Sequence, residues 1–162
     1  MLFMSMSGCV YKNRGEYLGK VAQSEDKQSD AMMQSIIDAL ETQDKDALKA
    51  LFSPYALEHA EDLDEKIEEL MEFYPGSEGG FDGYNVSKKS ANYGVISLML
   101  DGVYDVSSNG EEYEVNFVMY PRNDEEPEKI GLYLIEVMTE EAKPEGFKWK
   151  NEEDAPGIYV LE

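Results

Sequence analysis

The sequence predicts an α+β fold, in which a block of helices comes first and a block of antiparallel strands follows. In the first half, apolar residues stand at positions i, i+3, i+4 and i+7, which is one face of an amphipathic helix: Met33, Ile36, Ile37 and Leu40. After Phe81 the spacing changes, and alternating apolar residues between positions 95 and 101 are typical of a strand. Helices that precede antiparallel strands in this way indicate an α+β domain.

The first two helices are separated by residues that favour helix ends. The first helix ends at Thr42 to Asp44, and the side chain of Asp44 is placed to cap the next helix. The second helix has its apolar residues at Ala47, Leu48, Leu51 and Phe52. Ser53 and Pro54 then restart the chain, with serine as the N-cap and proline at the first helical position.

A third helix is expected to begin after Asp62. Asp62 and Glu65 form a variant of the capping box. The inward face of this helix is expected to hold Leu63, Ile67, Leu70, Met71 and Tyr74. Pro75 and Gly76 end the helix, and a loop follows.

Turn residues divide the second half of the chain into strands. Gly102 interrupts one strand and predicts a bulge or a sharp bend there. Asn109 and Gly110 predict a tight hairpin turn. The strand after this turn has one face made of Tyr113, Val115, Phe117 and Met119. Two further strands are expected at residues 130–138 and 157–161.

The only cysteine of the chain, Cys9, follows a short apolar run. Residues Met6-Ser7-Gly8-Cys9 resemble a bacterial lipobox, in which the cysteine is acylated and becomes the new N-terminus. No Lys or Arg precedes Cys9, so residues 1–8 are interpreted as the remnant of a signal peptide. Lipidation at Cys9 predicts a lipoprotein anchored on the extracytoplasmic face of the bacterial cell membrane. The alternative interpretation is a free surface cysteine near a disordered terminus.

The segment that follows the cysteine is expected to be a flexible tether. Residues 10–27 are polar and show no sustained periodicity, so they bury too little apolar surface to offset the entropy of ordering. The predicted organisation is therefore a signal remnant over residues 1–8, a lipidated tether over 9–27 and a single domain over 28–162.

Charge and composition exclude several classes of function. The chain has 35 acidic and 14 basic residues, a net charge of −21, which argues against nucleic acid and against adsorption on anionic lipid. A single Cys and a single His, His59, are too few for a structural zinc site. The motifs of zinc proteases, serine hydrolases and phosphate-binding loops are missing from the sequence. No metal, cofactor or catalytic residue is therefore predicted.

Several stretches resemble known families. The run Asp44-Lys-Asp-Ala-Leu-Lys-Ala-Leu-Phe-Ser53 resembles the second-helix signature of the nuclear transport factor 2-like superfamily, which includes ketosteroid isomerase. That resemblance implies a cone, in which three N-terminal helices pack into the concave side of a strongly bent antiparallel sheet. Residues 51–57, 113–117 and 129–137 resemble an uncharacterised family of lipoproteins from Gram-positive gut bacteria, which implies lipidation at Cys9 but transfers no site residue.

The sequence leaves three interpretations of function. The leading one is non-catalytic binding of a small apolar ligand or an envelope protein through the cone pocket or the sheet face. By analogy with the fold, the candidate ligand-binding residues are Tyr74, Tyr104, Phe117, Met119, Tyr133 and Trp149. The second is an isomerase- or cyclase-like enzyme with an inward carboxylate and a tyrosine; acids within the strands are Asp101, Asp105 and Glu136. The third is a module that forms a homodimer through its open sheet.

Overall fold

Four helices precede five strands in the computed structural model, so the predicted α+β class is confirmed. The structure describes residues 8–76 and 79–162, and the side chains of the first helix from Ser24 onward. The helices are α1 (Gly8–Glu41), α2 (Lys45–Leu51), α3 (Pro54–His59) and α4 (Leu63–Phe73). The strands are β1 (Phe81–Asn92), β2 (Val95–Ser108), β3 (Glu111–Asn123), β4 (Gly131–Thr139) and β5 (Gly157–Leu161).

The first helix is much longer than the apolar spacing indicates. The predicted stripe from Met33 to Leu40 is buried, but α1 begins at Gly8, so the backbone of residues 9–27 is helical where a flexible tether was expected. Once a helix has formed, each further residue adds a hydrogen bond, and Glu, Lys and Gln favour the helical state. Asp26 joins α1 to the sheet, because its Oδ1 accepts a hydrogen bond from Asn85 Nδ2 of β1 at 2.7 Å. A spacer role for the segment stays a prediction.

Two of the three predicted helix caps are confirmed. Asp44 Oδ1 accepts a hydrogen bond from the Ala47 N–H at 2.9 Å, and Ser53 Oγ accepts one from the Ala56 N–H at 3.1 Å. Ser53 caps α3, a helix of six residues that the prediction of three helices did not count. The capping box at Asp62 is wrong, because Asp62 has a left-handed backbone with φ at 50° and its side chain makes no capping hydrogen bond.

The five strands form one curled, unclosed sheet in the order β1-β2-β3-β4-β5. The first four are antiparallel to their neighbours, as predicted, but β5 runs parallel to β4. The purely antiparallel sheet is therefore wrong for the last strand. Residues 140–156 return the chain to the starting end of β4, and a parallel pair requires a long crossover of this kind.

The bulge expected at Gly102 is displaced. The register of β2 and β3 shifts between Leu98 and Leu100, and no shift occurs at Gly102, which pairs directly with Phe117. Gly102 instead allows a close approach. A Cβ atom there would lie 2.8 Å from the Phe117 ring and 2.9 Å from Ser29 Oγ of α1.

The sheet has two faces, and both carry buried side chains. The face that packs against the helices, called the inner face here, carries the main core, which includes Leu100, Val115, Phe117, Ile135 and Val137. Met99, Val118, Tyr120, Tyr133 and Leu134 form a second cluster on the opposite, outer face. Alternation along each strand therefore places the side chains between the core residues, such as Asn116 between Val115 and Phe117, on the outer face.

Candidate functional site: a groove along β5

The concave side of the sheet is filled by packed side chains around Tyr104. The rings of Tyr104 and Phe117 stack at 5.8 Å with an angle of 7°. The Tyr104 hydroxyl lies 2.7 Å from Ser29 Oγ and donates to Asp30 Oδ1 at 2.9 Å, and burial raises its pKa. Tyr74 and Met119 are buried in the same core. Four of the six candidate ligand-binding residues thus contribute to the packing that joins helices and sheet.

The strand acids proposed for an enzyme lie on the outer face. Asp101 accepts a hydrogen bond from Asn116 Nδ2 at 2.6 Å, and Asn116 is opposite Glu136 in the β3–β4 register. Asp105 has the same parity along β2 as Asp101. These carboxylates therefore do not share the concave side with Tyr74 and Tyr104, as an inward carboxylate would require.

A groove of about 590 Å³ runs along β5 between the described residues. Every residue from Ala155 to Leu161 lines it. Because successive side chains of a strand point to opposite faces, a cavity that touches all of them lies at the edge of the strand. β5 is the last strand in the order of the sheet, so this edge is unpaired within the described part of the chain.

One wall of the groove comes from the end of α3 and the start of α4. His59, the last residue of α3, is exposed, and its ring stacks on Tyr55 at 4.1 Å. Its Nδ1 is 2.8 Å from the Tyr55 carbonyl oxygen, which fixes the orientation of the ring. Glu61 and Lys66 continue the same wall.

The other wall comes from the crossover between β4 and β5. Phe147, Lys148 and Lys150 line the cavity from this segment. Trp149 lies between the two lysines in sequence, and its ring meets that of Phe147 edge-to-face at 4.9 Å. Aromatic residues and lysines therefore alternate in the sequence of this segment.

The groove collects positive charge on a strongly acidic chain. Lys148 is exposed and makes no ion pair or hydrogen bond with any described residue. Lys150 Nζ lies 4.5 Å above the Tyr159 ring and 3.8 Å from Asp154 Oδ1. Lys66 is paired with Glu69 at 2.5 Å. The ammonium group of Lys148 is thus the one of these three that is available to a ligand.

A buried carboxylate, Glu136, lies at the base of the groove. Glu136 is 2% exposed, and its Oε2 accepts a hydrogen bond from the Lys150 N–H at 2.9 Å. Burial raises the pKa of Glu136, although the hydrogen bond and charge of Lys150 oppose this shift. The same interaction holds the Lys148–Lys150 segment against the sheet, so Glu136 positions the wall.

The six candidate ligand-binding residues that the sequence suggested lie in different parts of the structure. Tyr133 is in the outer cluster and donates a hydrogen bond to the Asp154 carbonyl oxygen at 2.9 Å. Trp149 alone lies in the segment that forms a wall of the groove. Lys148, Lys150 and Tyr159 were not predicted from the sequence as site residues. The available signal was the Phe-Lys-Trp-Lys run at residues 147–150, which is basic in a chain where acids outnumber bases.

Other predicted features lie outside the groove or outside the described residues. Residues 1–7 and the side chain of Cys9 are not described, so the predicted lipidation site lies outside this part of the chain. None of the described helices is long and apolar enough to span a membrane. Within the same residues, no group of three or more His, Cys, Asp and Glu side chains is arranged to hold a metal ion.

One protein family matches the chain. It is described as a domain of unknown function (DUF5104), and the match covers residues 35–140. The matched region runs from the last two turns of α1 to the end of β4 and leaves the Phe147–Lys150 wall and β5 outside. None of the curated proteins matches the chain.

Proposed function

The chain belongs to the DUF5104 family, whose function is unknown, and from the groove along β5 we propose that it is a non-catalytic binding domain for an extended, acidic peptide segment. The observation that carries this proposal is the unpaired edge of β5 at the floor of a groove with a free lysine on its wall. A strand edge presents backbone N–H and C=O groups that a second extended chain satisfies.

The walls of the groove favour a segment with carboxylate side chains. Lys148 has no partner within the described chain, and a carboxylate of the ligand supplies one. Phe147 and Tyr159 also line the groove and offer apolar ring surface to the ligand. Electrostatic attraction to this wall also opposes the general repulsion between an acidic ligand and a chain of net charge −21.

We propose in addition that the domain is a lipoprotein held on the extracytoplasmic face of the cell membrane by lipid on Cys9. The lipobox-like residues 6–9 support this. The helices that cover one face of a curled sheet are compatible with the cone of the nuclear transport factor 2-like superfamily. In this arrangement the membrane is a partner through the lipid, and the ligand is an envelope protein.

The groove is tested by selecting random peptides displayed on phage against the full chain with Cys9→Ala. We expect enrichment of peptides that combine Asp or Glu with β-branched residues. Lys148→Glu should abolish their retention. Lys89→Glu on β1 makes the same change in net charge away from the groove and should preserve it. Failure to enrich any sequence, or equal loss with both variants, would contradict the proposal.

The anchor is tested separately in a Gram-positive host that expresses the native gene and is fed a clickable fatty acid. Label on the wild type that disappears with Cys9→Ala would support lipidation. Absence of label on the wild type would contradict it and would leave the peptide-binding test unaffected, because that test uses the chain with Cys9→Ala.

A further inference from the structure

The opposite edge of the sheet, β1, is also open. β1 is the first strand in the order of the sheet and pairs only with β2 among the described strands. It is twelve residues long, and ten of them are exposed. Tyr84 and Val86 are 61% and 53% exposed, and both lie on the outer face with Asp82 and Lys88, since the four alternate along the strand. An exposed apolar pair on a long edge strand is a surface that favours pairing with another chain.

Symmetry restricts how two copies of β1 can pair. In an antiparallel pair, directly opposite residues lie on the same face of the sheet. A two-fold axis perpendicular to the sheet must therefore pass beside one residue, which lies opposite its own copy. If the axis passed beside a peptide bond instead, each residue would lie opposite a residue whose side chain is on the other face of the sheet. The centre of a symmetric pair is thus a residue and not a peptide bond.

Only a two-fold axis at Asn85 places opposite charges opposite each other and apolar side chains opposite each other. In that register Asp82 is opposite Lys88 of the second copy, and Tyr84 is opposite Val86. A centre at Tyr84 would place Asp82 opposite Val86, and a centre at Val86 would place Tyr84 opposite Lys88. The segment Asp82-Gly-Tyr-Asn-Val-Ser-Lys88 is therefore complementary to itself when reversed.

We propose that β1 pairs antiparallel with β1 of a second copy of this chain about a two-fold axis at Asn85, joining two sheets into one of ten strands. Each interface has two Asp82–Lys88 pairs and two Tyr84–Val86 pairs on the outer face. Aromatic and β-branched residues opposite each other, and opposite charges, are the favourable cross-strand combinations. Lys88 also pairs with Glu152 of its own chain, which holds its side chain on that face.

The dimer is expected to be weak and reversible. Seven paired residues bury less area than a stable interface requires, and two chains of net charge −21 repel each other. Lysine on an edge strand ordinarily prevents pairing, but in this register Lys88 faces an acidic partner. The complementary charges of Asp82 and Lys88 therefore favour a second copy of β1 as the strand that pairs with this edge.

Charge exchange tests the pairing in the full chain with Cys9→Ala, by sedimentation equilibrium in about 0.15 M salt, where the Debye length is about 8 Å. Asp82→Lys and Lys88→Glu should each raise the dissociation constant about tenfold, because two symmetry-related pairs become repulsive. The double variant restores opposite charges across the interface and should return the constant to the wild-type value. Lys89→Glu, on the inner face, should have a smaller effect than Lys88→Glu.

Cysteine cross-linking tests the register independently of these charges. Asn85→Cys places two cysteines directly opposite, at a Cα separation of about 4.5–5.5 Å that a disulfide can span. Ser87→Cys, also on the inner face, leaves its two copies about 14 Å apart in this register. We expect an oxidised dimer with Asn85→Cys only. A wild type that stays monomeric at its solubility limit, or cross-linking at residue 87 in preference to 85, would overturn the proposal.

Discussion

At the scale of single residues, the same residue type behaves differently at two helix starts. Asp44 has an extended backbone and its carboxylate accepts the Ala47 N–H, whereas Asp62 has a left-handed backbone and caps nothing. Aspartate is a favoured N-cap residue, so the sequence predicts a cap at both positions. The residue type does not determine the backbone angle, and for this reason the difference at Asp62 could not be predicted. The angle at Asp62 is set by the turn between α3 and α4.

The cap at Asp44 contributes measurably to stability. Asp44→Ala removes the acceptor of the Ala47 N–H and should lower the free energy of unfolding by about 1 kcal/mol. Asp46→Ala removes an acid from the first turn of the same helix without removing the cap, so it should cost less. Urea denaturation measures both. Equal losses would mean that the charge, and not the hydrogen bond, is what stabilises α2.

Glu136 makes stability depend on pH. Burial raises its pKa above the ordinary value of 4.5, so the folded state binds this proton more tightly than the unfolded chain does. The contribution to stability is therefore largest when Glu136 is protonated and falls as the pH rises through the raised pKa. Glu136→Gln cannot ionise, so its free energy of unfolding relative to the wild type should increase between pH 4 and neutrality.

The control for this titration is Glu140→Gln, which changes an exposed glutamate just after β4. Over the same range of pH, the stability of Glu136→Gln relative to the wild type should change more than that of Glu140→Gln, because Glu136 is buried and Glu140 is exposed. A difference between Glu136→Gln and wild type that stays constant with pH would show that burial does not raise the pKa of this carboxyl group.

At the scale of elements, periodicity predicts the helices and strands well where their residues are half-buried. The buried stripe of α4 is observed, and the predicted face of β3 packs in the main core. The polar first half of α1 has no apolar face to signal it, so the helix could not be predicted there. The direction of β5 could not be predicted either, because a run of five mostly apolar residues indicates a strand but identifies neither its neighbour nor whether the two are parallel.

Two hairpins use the same left-handed turn with different residues. Asn109 and Gly110 have φ at 53° and 79°, and Tyr93 and Gly94 have φ at 48° and 85°. Asparagine adopts this conformation at a lower energetic cost than tyrosine does, so Tyr93→Asn should raise the free energy of unfolding by about 1 kcal/mol. Tyr93 is fully exposed, so its ring has no packing to lose.

The reciprocal change is the control for the turn. Asn109→Tyr should destabilise the β2–β3 hairpin by about the same amount, and thermal unfolding of both variants gives the comparison. An unchanged stability in Tyr93→Asn would show that the β1–β2 turn is not strained by its tyrosine.

At the scale of the whole molecule, the excess of acidic residues opposes folding. A net charge of −21 repels itself most strongly in the compact state. Raising NaCl from about 0.01 M to about 0.15 M shortens the Debye length from about 30 Å to about 8 Å and should raise the free energy of unfolding. KCl should act equally, since screening does not depend on the cation. A loss of stability would show that the surface ion pairs outweigh this repulsion.

The location of the groove could not be predicted at this scale. Tyr104 and Phe117 were plausible ligand contacts from their positions on strands, but the helices cover them. The groove depends on the crossover that brings Lys148 beside β5, and this is a contact between segments that local spacing does not reveal. The basic run at residues 147–150 was an indication of the groove in the sequence.

The strand order has one more consequence, because β1 and β5 lie at opposite margins of the sheet. Two copies joined at β1 would carry their β5 grooves at the two far ends of one continuous sheet. Such a dimer is bivalent. A ligand with repeated acidic segments would dissociate from it only after its segments leave both grooves. Weak self-association and modest affinity at each groove would then combine into long residence on a repetitive target, and a soluble single segment would compete poorly with it.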